Sequence, residues 1–389
     1  MRRFLPLIAP LVVIALAGCA AQPQPPAASG DDKASQAFST YLSARFAADE
    51  HDLGQAAQYY GQALADDPGN PSLLAMSFFY STTSGDFEAV GKYAQAVVTA
   101  TPDDRAARLA LAVIAFRHKD YGDVRKQLSL SAKGPFTTLT LSLFDAWAAA
   151  AQHDTQGMQK DIQTLLEQKG AEGMASFHAA LMEDYLGNSA LAEAAYKKAL
   201  TSGAPTPRVL EAYGRFLERQ GRGADAAKLY QTHMDEGGLV SVTRPGLQRI
   251  AANEKPEALI RNPADGAAEA LFGIAASLTD AQSADVSILY LRMALYLRPD
   301  LGLAQVLLAD RFESLRKYDS AVAIYHAITP SSPYFRMAQI QAALDAQRLG
   351  KNDDAVADLK KLVAAQPEDS EAWIALGDTY RTEEKFQEA

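Results

Sequence analysis

From Ala56 onward, apolar and small residues recur three or four positions apart, the spacing that gathers them on one face of an α-helix. Ala56, Tyr60 and Ala63 form one such face and stop at Pro68. Leu109, Ala112 and Phe116 form another, and Leu143, Trp147 and Ala150 a third. Long Val/Ile runs are few, while Ala, Leu and Gln are abundant, so the pattern predicts helices and no strands. The helices come in a repeating order. The stretch Ser370–Ala389 carries Trp373, Leu376, Gly377, Tyr380 and Ala389. A unit beginning thirty-four residues earlier at Arg336 has Gly350 at its turn, Ala355 in its second helix and Pro367 at its end.

Earlier copies follow the same plan. Leu308, Ala309, Phe312, Ala321, Tyr325 and Pro333 belong to a unit from Gly302, and Leu271, Ala294 and Pro299 to one from about Ala268. Upstream lie Leu210, Gly214, Gly221, Ala226 and Tyr230, then Gly187, Ala192, Tyr196 and Ala199, and finally Gly85 with Pro102. Small residues such as Gly214, Gly377, Ala226 and Ala321 let antiparallel helices approach, and Trp373, Tyr380, Tyr230 and Tyr325 fill the space between pairs. No such hairpin buries its apolar face alone, so neighbours must stack into one continuous core.

The spacing Trp373-x2-Leu376-Gly377-x2-Tyr380…Ala389 resembles the tetratricopeptide repeat (TPR) family. The resemblance implies an all-α, right-handed superhelical solenoid of about ten helix-turn-helix repeats, the last truncated, with a concave groove lined by first helices that binds other proteins. One block is expected over residues 37–235, with a degenerate stretch at 105–173, and a second, incomplete at its C-terminus, over 267–389. Gly, Pro and Asn-Pro breakers interrupt the period at 236–266, either as a linker or as a loop with a short helix packed against the groove.

The N-terminus carries a different signal. Arg2 and Arg3 precede an uncharged apolar run, Phe4 to Ala17, which falls short of the about 20 residues needed to span a bilayer. Leu16-Ala17-Gly18-Cys19 resembles the lipobox of bacterial lipoproteins, which implies a signal peptide at 1–18, cleavage before Cys19, and acylation of that cysteine. Residues 19–36, rich in Pro, Gln and Ala, read as a disordered tether behind the anchor. Ala20 rather than Asp after the cysteine points, within that resemblance, to the periplasmic face of the outer membrane, with the inner membrane as the alternative.

Composition narrows the chemistry. A formal net charge of −10 argues against a nucleic-acid footprint, and a single cysteine forms no internal disulfide. None of His51, His118, His153, His178, His233 and His326 sits in an H-E-x-x-H arrangement, and no P-loop, dinucleotide fingerprint or G-x-S-x-G elbow is present. No catalytic residue, cofactor or metal is expected. Candidate partner-binding positions are Arg208, Arg215 and Arg219, whose guanidinium groups on one helical stripe suit carboxylates of a partner; the same stripe contains Glu211 and Glu218, which would neutralise it. In the last units Met337, Ile340, Leu344, Ile374 and Asp378 make a more apolar groove suited to an amphipathic partner segment. Together the two family resemblances imply a non-enzymatic scaffold that assembles or regulates a machine of the Gram-negative envelope. The alternative is the recruiting arm of an enzyme or activator, such as a peptidoglycan synthesis regulator, whose working domain lies beyond residue 389. A third class, a carrier of a small ligand or lipid, requires an apolar cavity that the groove pattern does not predict.

Overall fold

The computed structural model describes residues 30–389 except 203–205, 236–239 and 369. The signal segment 1–18, Cys19 and most of the expected tether therefore lie outside the described residues. Twenty α-helices and one short 3-10 turn make up the regular structure of the described part, in agreement with the all-α expectation. They are α1 (Gly30–Asp49), α2 (Leu53–Asp66), α3 (Pro71–Ser84), α4 (Phe87–Ala100), α5 (Arg105–Arg117), α6 (Tyr121–Ser129), α7 (Pro135–Ala151), α8 (Thr155–Leu166), α9 (Glu172–Tyr185) and α10 (Ser189–Thr201). There follow α11 (Pro207–Arg219), α12 (Gly223–Asp235), α13 (Val240–Ala251), α14 (Pro263–Ser277), α15 (Ala284–Leu297), α16 (Gly302–Ser314), α17 (Tyr318–His326), α18 (Phe335–Arg348), α19 (Asn352–Ala365) and α20 (Ser370–Thr382). Helix α1 begins inside the segment 19–36 that the composition marks as tether: the Pro-rich part ends before Gly30, and Ala, Gln and Ser then continue a helix.

The hairpins from α1–α2 to α11–α12 keep a strict register. Residues with left-handed backbone stand at the turns at His51, Gly85, Lys119, His153, Gly187 and Gly221, each thirty-four residues after the last. Just past four of these turns, an aspartate caps the next helix: Asp52, Asp86, Asp120 and Asp154 accept hydrogen bonds from the backbone N–H of Gln55, Ala89, Asp123 and Gly157. The period thus runs unbroken through 105–173, where the pattern looks degenerate because Lys119 and His153 occupy turn positions that glycine fills more easily. A second series, at Arg316, Gly350 and Glu384, has the same spacing.

Between the two series the chain does not run on as a straight stack. Helix α13, within the 236–266 interruption, packs on α11 and α12 and so continues the first block. Helix α14 then lies against α7 and α9, and α15 against α3 and α5, so this hairpin sits on the first helices of the repeats before it. From there α16 to α20 stack onward in order. A single apolar core consequently runs from Leu53 to Ala342, with smaller clusters at either end.

Close approach makes this nesting possible. A Cβ on Gly266 of α14 would fall 2.3 Å from the ring of Trp147 in α7, so only glycine admits the helix at that depth. Farther along, Phe87 and Tyr296 stack with ring centroids 4.0 Å apart. Arg292 Nε donates to Thr83 O at 3.0 Å and Arg117 Nη1 to Leu297 O at 3.3 Å, tying α15 to the first block through backbone carbonyls.

Of the aromatic residues expected in the core, Tyr230, Tyr325 and Tyr380 are buried, and Gly214 leaves room for the Tyr230 ring, where a Cβ would stand 2.2 Å from its hydroxyl. Trp373 departs from that expectation. It is 51% exposed, with its indole N–H on Pro367 O, because no described element packs on that face of α20. The outer face of α1 likewise presents Phe38, Leu42 and Phe46 to solvent. Among the described residues no helix is long and apolar enough to cross a membrane.

Candidate functional site

Helix α11 opens with Thr206, whose hydroxyl caps the N–H of Val209, and with Pro207, which suits the first turn. Three and four residues apart along it, Arg208, Glu211, Arg215, Glu218 and Arg219 share a side, as the periodicity requires. That side is not open. The incoming helix α14 places Glu269 against it, and Arg208 grips this carboxylate with two N–H groups, Nε on Oε2 at 3.1 Å and Nη2 on Oε1. Its third nitrogen, Nη1, reaches Glu211 Oε2 at 2.7 Å. Arg215 bonds Glu211 Oε1 at 3.3 Å and the backbone carbonyl of Glu257 at 3.0 Å. Arg219 pairs with Asp184 of α9, and Glu218 takes Arg249 of α13 together with the Tyr230 hydroxyl.

The stripe therefore reads carboxylates, but they are the chain's own. Arg208 retains only 12% of its side-chain exposure and Glu269 only 1%. Burial opposes the charge on Glu211, yet the neighbouring Arg208 and Arg215 hold its carboxyl below the usual range. Arg298 adds a further bond to Glu269 Oε1 at 3.4 Å. Glu269 escapes sequence reasoning because it lies sixty-one residues from Arg208.

The second candidate set divides. Ile340 is buried in the core of α18–α20 and Leu344 packs against it, so neither lines an open groove. Ile374 is 64% exposed, and Asp378 beside it forms a surface pair with Arg381 at 3.1 Å. Met337 faces a cavity of about 720 Å³ at the junction of the two blocks, which Arg208 also borders. The structure thus brings together Arg208 and Met337, residues from the two separate candidate sets. Apolar side chains from α9, α11, α14, α16 and α18 form most of its wall. At its edge lies His178, 1% exposed, whose Nδ1 accepts from the Trp147 indole at 3.1 Å. Among the described residues no group of three or more His, Cys, Asp or Glu is arranged to hold a metal ion.

A separate charge cluster joins α6, α7 and α8. Arg125 donates to Asp145 at 2.9 Å and to Asp154 at 3.0 Å, while Asp161 faces Asp145 with one oxygen buried and unbonded. Burial, reinforced by the like charge of Asp145 and only partly offset by Arg125 and Lys160, pushes Asp161 up to about 7.

The tetratricopeptide repeat family model matches residues 160–238 and 340–389 of the chain. No curated protein sequence matches it. Among solved structures, the P58(IPK) TPR domain is 12% identical, with 91% of this chain and 100% of that one covered and a TM-score of 0.26. The Cut9–Hcn1 hetero-tetramer of the APC/C is 13% identical over 90% of this chain and 56% of that one, with a TM-score of 0.33. Pseudomonas aeruginosa pilF is 16% identical over 63% and 100%, with a TM-score of 0.27. Likeness at this level speaks to no shared function.

Two outcomes are expected of variants at these sites. Arg208→Met leaves Glu269 and Glu211 buried with too few partners and should cost about 3 kcal/mol in urea unfolding, the lower end for a broken buried pair because Arg298 remains. Arg208→Met combined with Glu269→Leu should recover most of that loss, and a single variant as stable as the parent would contradict the pairing. For Asp161, the folded state binds the proton more tightly than the unfolded chain. Its stabilising contribution is complete at acid pH and disappears as pH rises through about 7. Melting temperature followed from pH 5 to pH 8 should fall more steeply in the native chain than in Asp161→Asn; parallel curves would refute this.

Proposed function

We propose that the protein is a non-enzymatic interaction scaffold of the Gram-negative envelope, held at the periplasmic face of the outer membrane by acyl chains on Cys19, where it gathers components of an assembly machine. Stacked helical hairpins of the tetratricopeptide type serve protein–protein contact by offering extended surfaces without a reaction centre. The observation that carries the reading is the seating of α14 and α15 on the first block. These helices cover one side of α3, α5, α7 and α9, which leaves the uncovered surfaces as those open to a partner. Of the expected contact residues, Ile374 fits this role best, being apolar, exposed and flanked by Asp378.

The membrane anchor is supported by the lipobox spacing and by the position of α1. That helix starts eleven residues after Cys19 and turns Phe38, Leu42 and Phe46 outward, an apolar stripe able to lie in the headgroup region of a bilayer. A pull-down from crosslinked membranes tests both parts. Ile374→Asp should lose most of the proteins that the native chain captures while melting as before, and Cys19→Ala should move the chain from the membrane to the soluble fraction. An unchanged partner set for Ile374→Asp would remove α20 from the contact surface. Unchanged membrane association for Cys19→Ala would remove the anchor.

A further inference from the structure

The cavity between the two blocks has the size and lining of a ligand site, independently of any protein partner. Its volume of about 720 Å³ lies inside the range of about 300–1,000 Å³ usual for small-molecule pockets. Met174, Phe177, Val209, Phe272, Val306 and Met337 supply the apolar wall. Two methionines among them give it a surface that adapts to irregular hydrocarbon.

The polar atoms around this wall define what the occupant must bring. Glu269 has both oxygens bonded by Arg208 and Arg298, and all three Arg208 nitrogens bond Glu269 or Glu211, so the charges beside the cavity offset one another. The Ser202 hydroxyl donates to Lys198 O, and the Thr206 hydroxyl accepts from Val209. The polar groups that remain include uncharged donors. Since His178 Nδ1 accepts from Trp147, the neutral ring carries its proton on Nε2, and burial pushes its pKa down to about 3, so the ring stays uncharged. Tyr334 also lines the cavity, and burial keeps its hydroxyl protonated. A peptide would bring a backbone N–H and C=O at every residue, and the wall offers mostly hydrocarbon to meet them. An anionic head would meet a neutral histidine and arginine charge already offset by Glu269 and Glu211.

We infer that this cavity is a binding site for an uncharged acyl ester, a hydrocarbon chain that ends in acceptor oxygens and carries no donor. The chain lies along the methionine and phenylalanine wall, and the ester oxygens take the hydrogen bonds that His178 and Tyr334 have to give. Because α9, α11 and α14 meet α16 and α18 there, an occupant touches both blocks at once.

The test uses the full chain with Cys19→Ala, so that no acyl group of its own competes, and the methyl ester of a pyrene-labelled hexadecanoic acid as probe. Fluorescence titration should show saturable binding, and the corresponding free acid should bind at least about tenfold more weakly. Gly273 borders the cavity, and a Cβ there would stand 3.5 Å from Met174 Cε, so Gly273→Leu projects into the space while improving a helical position. That variant should lose at least about tenfold in ester affinity with its melting temperature kept or raised. Saturable binding of neither probe, or ester binding untouched by Gly273→Leu, would overturn the site. Equal binding of acid and ester would overturn its preference for an uncharged head.

Discussion

Helix α14 has no face fit for water, and the rest of the architecture follows from where it is put. Apart from Asp265 and Glu269 it is built of Ala, Gly, Leu, Ile, Phe and Pro with one terminal Ser, and most of its residues are buried. A helix apolar around its whole circumference is stable only when enclosed. The first block supplies the enclosure, with Trp147 receiving Gly266 and Arg208 and Arg298 neutralising Glu269. Removing the two carboxylates' partners would leave charges in an apolar interior, so Arg208 of α11 is tied to this helix rather than to an outside ligand.

Much of the local order was legible in the chain. Helical periodicity identified the hairpins, and the positions of Tyr230, Tyr325 and Tyr380 correctly marked rings that are buried, while Trp373 is not. More was present than the apolar pattern revealed: aspartates at 52, 86, 120 and 154 repeat every thirty-four residues and mark helix starts through a stretch whose core residues look irregular. Those signals are local, arising from turns and caps that each involve a few neighbouring residues.

What the sequence did not reveal is long-range. The stripe of Arg208, Arg215 and Arg219 has the same spacing whether it faces solvent or other parts of the chain, and only the return of α14 to Arg208, the approach of Glu257 to Arg215 and the placing of Asp184 beside Arg219 decide between them. Ile340 and Ile374 occupy equivalent positions one repeat apart, yet the first is in the core and the second in solvent, because α18 has α20 beside it and no described element covers the same face of α20. The one advance sign was compositional. The segment from Pro263 to Ser277 lacks any lysine or arginine, unlike a helix that keeps one side in water.

Nesting also gives the inner face of this solenoid a different use from an open groove. By filling the first block, α14 and α15 join two helical stacks into one core and leave between them a lined apolar cavity, while exposed apolar residues remain on α1 and α20. Hydrogen exchange of the native protein, read by mass spectrometry, tests that account most directly. Amides of α14 should exchange as slowly as those of α7 and α9 and lose protection together with them as urea is raised, because all three belong to one cooperative unit. Rapid exchange of α14 and α15 while α7 and α9 stay protected would show that the hairpin is not seated in the first block, and would contradict the architecture on which the rest depends.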